Sequence, residues 1–230
     1  MPKFSSRDGE GLSVAQQDYL KAIYQLVEEE GTRANTSQLA SRLGVAAASV
    51  SEMLGKLAER RLISHERYQG AELTLAGRQL AVEVVRHHRL IESYLVRMLG
   101  YGWDEVHEEA DRLEHAISEK LEARIDCALG APQFDPHGDP IPTLDGEVTR
   151  LHLRPLSACL PGRLIVNRVS DRDSEKLRVI GEFGLRPGTD IELLSSSRWQ
   201  EPLALQVGQS QHQLPLGLAE AVFVSEASIG

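Results

Sequence analysis

Residues 36–75 read TSQLASRLGVAAASVSEMLGKLAERRLISHERYQGAELTL, and this stretch decides the fold. TSQLASRL has the length of a short helix, with Thr36 as its expected N-cap and Gly44 as its stop. Small residues (Ala46, Ala47, Ala48, Ser49, Ser51) then lead into a helix whose Val50, Met53, Leu54 and Leu57 share one face. RLISHERYQGAELTL alternates and turns at Gln69-Gly70, the pattern of a β-hairpin. Upstream, Tyr19, Ile23, Tyr24, Leu26 and Val27 recur at helical spacing between Ser13 and Gly31, behind a polar arm at residues 1–12. Helix, short helix, glycine turn, helix and hairpin make a winged helix-turn-helix, expected over residues 1–75.

Such a module places the N-terminal turn of its third helix in the major groove of double-stranded DNA. Ala46, Ala48, Ser49, Ser51 and Glu52 are therefore the expected groove residues. Small side chains allow close approach, alanines can touch thymine methyls, and the serines can bond phosphate or base edges. Arg42, Lys56, Arg60, Arg67 and Tyr68, with His65 and Gln69 on the wing, are candidate backbone contacts. The net charge of −9 argues against a nucleic-acid partner taken over the whole chain. Its distribution permits one: residues 33–67 carry six Lys/Arg against three Asp/Glu.

Beyond the hairpin, residues 76–98 are expected as one amphipathic helix and residues 103–129 as another, bounded by Gly100, Gly102, Gly130 and Pro132. The pair carries seven basic against eleven acidic residues over 76–129, an excess that suits a cation. On a helix each residue advances about 100°. With His107 as zero, Asp111 falls near +40°, Glu114 near −20° and His115 near +80°, all about one face. His88 and Glu92 form a second i,i+4 pair. Imidazoles and carboxylates grouped without a thiolate can hold a divalent cation. The bland alternative is an ion-paired helix face, with Arg89, Arg112 and Lys120 as partners. His87, about 100° from His88, is expected in solvent. His65, His137, His152 and His212 are expected as ordinary surface or core residues.

Six of the ten prolines fall between residues 131 and 162, marking an irregular connector. After Gly162 come four strand-like runs (RLIVNRV, TDIELLSSS, PLALQVG, AVFVSEA) around one helical stretch, SEKLRVIGEFG, which suggests a small β-barrel. The fold class is thus mainly α with small β. With 41% hydrophobic and 26% charged residues the composition is that of a soluble globular protein. No window approaches a membrane span, and the first residues lack a signal-peptide core, so a cytoplasmic location is expected. Cys127 and Cys159, far apart and outside any CxxC, are expected as buried thiols without a disulfide.

The stretch DYLKAIYQL, the helix-turn-helix, then HHRLIESYL, VHEEADRLEHAIS and PHGDPIP resemble the iron- and manganese-dependent repressors of the diphtheria toxin repressor type. The likeness runs from about Val14 to Leu144 and continues more weakly through GLRPGTDIEL and LPLGLAEAVFV. It implies a homodimer with three segments: the winged helix (1–75), a helical metal-binding and dimerisation domain (76–145), and a linker with an SH3-like domain (146–230). It also implies two metal sites per chain. One falls on Asp18, Asp111, Glu114 and His115. The other falls on His88, Glu92 and His107, with Asp173 and Lys176 at the positions of two C-terminal ligands. Lys176 cannot ligate while protonated. Iron-type members carry Met and Cys where this chain has Asp18 and Asp111, and manganese-type members carry Glu where it has Lys21.

Hard oxygen donors plus imidazole suit Mn²⁺ first and Fe²⁺ second. The expected function is that of a metal-dependent transcription regulator, a repressor of metal-homeostasis genes, and not an enzyme. Two alternatives stand beside it: a His/carboxylate metalloenzyme, and a winged-helix regulator that answers an organic ligand. Against the first, the chain carries no nucleophile elbow and no phosphate-binding glycine loop.

Overall fold

A computed structural model describes residues 11–66, 69–195 and 202–227. The chain divides into two compact units that interleave along the sequence. One takes residues 1–88, 112–124 and 142–148, and the other residues 89–111, 125–141 and 149–230. The division falls within the helix Leu75–Leu99, between His88 and Arg89.

The first unit opens with α1 (Val14–Glu30), started by a Ser13–Gln16 capping box and ended by Gly31 in the left-handed conformation. Helix α2 (Thr36–Leu43) is capped by Asn35, whose side chain accepts from the Gln38 backbone N–H, so the expected cap at Thr36 is corrected by one residue. Asparagine reaches the same N–H, and Gln38 returns the bond to complete a capping box. Helix α3 (Ala47–Glu59) follows Gly44, which is also left-handed. Strands β1 (Ile63–Glu66) and β2 (Gly70–Leu73) pair antiparallel, and Ala34 bridges to Ala71 on their flank. At Gly70, φ is +84° and a Cβ would lie 2.9 Å from the Ala34 carbonyl oxygen, so only glycine fits. Leu20, Ile23, Leu39, Val50, Leu54 and Leu57 form the centre of this core. The winged helix-turn-helix is present as expected.

Helix α4 (Leu75–Leu99) matches the expectation for 76–98. It is more buried than its amphipathic pattern implied, since Arg86, His87, His88, Glu92 and Ser93 are buried along with Val82, Val84, Val85, Leu90 and Leu95. The single helix expected over 103–129 is two: α5 (Val106–Leu113) and α6 (Glu119–Leu129). The break has a local cause. Ser118 Oγ accepts from the Leu121 N–H at 3.3 Å, and Ala116 N–H bonds tightly back to Leu113 O, ending one helix and starting the next.

In the second unit β3 (Arg154–Pro155), β4 (Gly162–Val169), β5 (Asp190–Leu193), β6 (Leu203–Val207), β7 (Ser210–Leu214) and β8 (Val222–Glu226) form one antiparallel sheet in the order β3-β8-β4-β5-β6-β7. Helix α7 (Ser174–Glu182) lies between β4 and β5, and a short α8 (Leu216–Ala219) lies between β7 and β8. This is a small SH3-like domain around Leu164, Val166, Leu177, Ile180, Leu203 and Val224. Strand β7, SQHQL, gave no apolar alternation to read, because only Leu214 of its five residues is buried. Gly138 has φ +89°, and any Cβ there would collide with the Asn167 carbonyl, so the 135–141 loop packs on β4 only through glycine.

Candidate metal centre and nucleic-acid interface

Asp18 projects from α1, and Glu114 and His115 occupy the turn after α5. His115 Nε2 lies 2.9 Å from Asp18 Oδ1 and 3.4 Å from Glu114 Oε1. One donor atom from each of the three lies within 4.8 Å of the others. The helical-wheel expectation that Glu114 and His115 continue the face of His107 is corrected here, because both lie beyond the last residue of α5. The chain leaves the helix at the point where it supplies these two side chains.

Gln17 was not singled out in the sequence, yet its Oε1 lies 2.7 Å from His115 Nδ1. A carbonyl oxygen only accepts, so this contact calls for a proton on Nδ1, and with a cation in place of the Nε2 proton shared with Asp18, Nε2 would present its lone pair. Burial raises the pKa of Asp18, against the opposing pull of His115. Two carboxylates and one imidazole in this geometry fit a hard divalent cation.

Lys21 is the second surprise. Its side chain is only 9% exposed, and its Nζ donates to Glu114 Oε2 at 2.7 Å and Oε1 at 3.0 Å. His88 Nδ1 lies 3.0 Å from Lys21 Nζ and 2.5 Å from Glu114 Oε2. Lys21, His88 and Glu114 therefore form a buried trio that already contains a cation.

In the second unit, His107 Nδ1 lies 3.3 Å from Glu92 Oε1 and 3.3 Å from Asp171 Oδ2. These residues also have ligand atoms within 4.8 Å of one another. The side chain from the C-terminal segment that lies beside His107 is Asp171 and not the expected Asp173. Asp173 caps α7, accepting from the Lys176 N–H at 3.0 Å, and Lys176 Nζ lies 3.8 Å from the same carboxylate. A helix N-cap and its first turn point at each other, which takes both residues away from His107. Burial raises the pKa of Asp171, but the hydrogen bond and charge of His107 outweigh it and leave the carboxyl well below the usual range. His137 reaches the same group: it is fully buried, with Nδ1 3.5 Å from Glu92 Oε2 and Nε2 2.6 Å from the Trp103 carbonyl oxygen. Burial disfavours its charged form, yet Glu92 pushes its pKa up to about 10. Asp111, half exposed, lies 3.7 Å from His107 Nε2.

Two further expectations change. His87 is buried, 3.4 Å from Glu122 and 3.2 Å from the Glu114 carbonyl oxygen. It lies on the face of α4 that the 112–124 segment covers, which a single-helix wheel could not foresee. Cys127 is exposed and only Cys159 is buried; both are free thiols.

On the DNA-facing module, Ala46, Ala48, Ser49, Ser51, Glu52 and Lys56 are exposed along α3. The helix N-cap, Ala46, makes no side-chain capping bond. Ser51 Oγ donates to the Ala47 carbonyl oxygen, and Lys56 pairs with Glu52 at 2.6 Å. Arg60 donates to the Gly11 carbonyl oxygen, and Arg42 pairs with Glu29 at 2.6 Å. Arg67 and Tyr68 lie outside the described residues.

Residues 11–71 match the N-terminal DNA-binding domain of the iron-dependent repressors, residues 74–143 match their metal-binding and dimerisation domain, and residues 154–226 match the FeoA domain. The iron-dependent repressor IdeR of Mycobacterium tuberculosis is 30% identical over 221 residues, covering 90% of this chain and 95% of that protein. A manganese-dependent transcriptional repressor in complex with manganese is similar in structure, with a TM-score of 0.86 and 40% identity over 92% of this chain and 100% of that one. The manganese regulator SloR is similar too, with a TM-score of 0.76 and 31% identity over 92% and 98% of the two chains. A winged helix beside clustered carboxylates and imidazoles defines a metal-dependent transcriptional regulator. The chain belongs to the iron-dependent repressor family of metal-dependent transcriptional repressors, and its function is regulatory rather than enzymatic.

Proposed function

We propose that the chain is a Mn²⁺-responsive repressor, able also to answer Fe²⁺, that binds operator DNA as a homodimer in the cytoplasm and controls metal-homeostasis genes. The observation that carries this reading is the Asp18–Glu114–His115 cluster, in which a side chain from the first helix of the DNA-binding module meets two from the turn after α5. Its donors are hard oxygens and one imidazole, with no thiolate or thioether, which favours Mn²⁺ and then Fe²⁺. A bound divalent ion supplies the positive charge that holds these three together. Gln17 orients His115 for it. Fixing α1 in this way lowers the cost of ordering α3 for the major groove, which couples the metal and DNA sites.

Glu92, His107 and Asp171 are proposed as a second set. Asp111 and His88 are proposed as further ligands on the family resemblance of their motifs alone. The exposed N-terminal turn of α3 is proposed as the groove-reading element, with Lys56 and Arg60 on phosphates. Arg42, tied to Glu29, is a weaker phosphate contact. Met98, Leu99 and Tyr101 leave an exposed apolar surface at the end of α4 that suits a dimer contact. No helix among the described residues is long and apolar enough to cross a membrane.

The test mixes chelator-stripped protein with sheared genomic DNA from its source, with Mn²⁺ or with EDTA, and sequences what is retained. A few promoters enriched only with Mn²⁺ is the expected result, and Asp18→Ala should abolish that difference. Equal enrichment in both conditions overturns the metal switch.

A further inference from the structure

We propose that the Lys21 ammonium is a tethered cation standing where a second metal ion of the Asp18–Glu114–His115 cluster would lie, so that this cluster takes one divalent ion and no more. The inference rests on the metal-site reading above and deepens it.

Lys21 Nζ lies 2.7 and 3.0 Å from the two oxygens of Glu114 and 3.0 Å from His88 Nδ1. A divalent ion held by the same atoms would sit about 2.0–2.2 Å from each, within the volume that the ammonium nitrogen fills. Occupancy is exclusive. Burial makes the exclusion costly to reverse, because Glu114 is 1% exposed and an ammonium displaced from it must find new partners or water. An ammonium that stayed beside two divalent ions would add like charge in a site of low dielectric.

The remaining donors still make a site. Glu114 Oε1 also faces His115 Nε2 at 3.4 Å, and that nitrogen faces Asp18 at 2.9 Å, so one ion can be held on the side away from Lys21. Asp18 and Lys21 are three residues apart on α1, adjacent on one helical face. The lysine therefore links α1 to Glu114 and α4 in the way a second metal would, and does so at every metal concentration. Part of the link between the DNA-binding module and the helices behind it is permanent, and only the rest is metal-controlled.

The test counts Mn²⁺ in chelator-stripped, reloaded protein carrying His107→Ala, which removes the second set. One ion per chain, with the hyperfine-split paramagnetic resonance signal of isolated Mn²⁺, is expected. Adding Lys21→Glu should raise the count to two and replace that signal by the broadened spectrum of a coupled pair. Two ions per chain with Lys21 in place overturn the proposal. So does a count of one after Lys21→Glu in a variant whose circular dichroism is native. The first count stands alone if that variant does not fold. No Mn²⁺ in the His107→Ala protein overturns the metal-site reading itself and this proposal with it, an outcome distinct from a count of two.

Discussion

At His115 the choice of ring nitrogen is made by a residue with no metal chemistry of its own, since Gln17 Oε1 lies 2.7 Å from Nδ1. Removing that acceptor frees the ring to change tautomer and tilt. Gln17→Ala should weaken Mn²⁺ binding about 10–100-fold, the usual effect of losing such a support. Titration calorimetry checks this, and unchanged affinity would show that packing alone orients the ring. A second pair works for stability. Arg86 Nε donates to Glu122 at 2.5 Å and Nη1 to the Pro142 carbonyl oxygen at 2.6 Å, all buried. Glu122→Gln leaves a buried guanidinium without its countercharge and should cost about 3 kcal/mol in urea unfolding. Burial raises the pKa of Glu122, but hydrogen bonds from His87 and Arg86 outweigh it and hold it below the usual range. A lowered folded pKa gives stability that is present above the unfolded pKa of about 4.3 and lost as pH falls below it. The Gln variant should lack that acid-limb loss; an identical acid limb in both proteins argues against the ion pair.

At the scale of elements, caps explain where the sequence could be read and where it misled. Ser13 with Gly31, and Gly44 after α2, mark helix ends through local bonds alone. Asn35 rather than Thr36 caps α2, a choice between neighbours that are both good caps, decided by which side chain meets the Gln38 N–H. Asn35→Ala should therefore cost about 1 kcal/mol while Thr36→Ala costs less, as read by thermal unfolding of the two variants. The reverse order would restore Thr36. The break between α5 and α6 was hidden because residues 103–129 contain no Gly or Pro to announce it. Ser118 and the bond from Ala116 to Leu113 create it, and it moves Glu114 and His115 off the helical face that first grouped them with His107.

For the whole molecule, the net charge of −9 and the exposed residues of α3 set up opposing effects on DNA binding. If Lys56 contacts a phosphate, Lys56→Ala should weaken binding across all sequences and lower the salt slope by about one. An unaltered slope removes it from the interface. Metal should also stabilise the fold by mass action. Mn²⁺ at a hundred times its Kd adds about 2.7 kcal/mol per site. The denaturation midpoint should rise with Mn²⁺ and fall back with chelator, and a flat midpoint would mean that the native clusters hold no ion.

By itself the sequence determined the winged helix, the long α4, four strands of the C-terminal sheet, and the participation of His88, Glu92, His107, Glu114 and His115 in buried or clustered contacts, while Asp18 was reached only through the family resemblance. Those readings depend on short-range causes: apolar period, caps, turn residues and the clustering of ligand-type side chains. Tertiary structure alone decided that Gln17 and Lys21 join Glu114 and His115 from about ninety residues away, that Asp171 rather than Asp173 faces His107, and that His87 and His137 are buried. The physical reason is that a hydrogen bond or ion pair forms between atoms brought within about 3 Å. Over such separations along the chain no local pattern records which side chains packing will bring together.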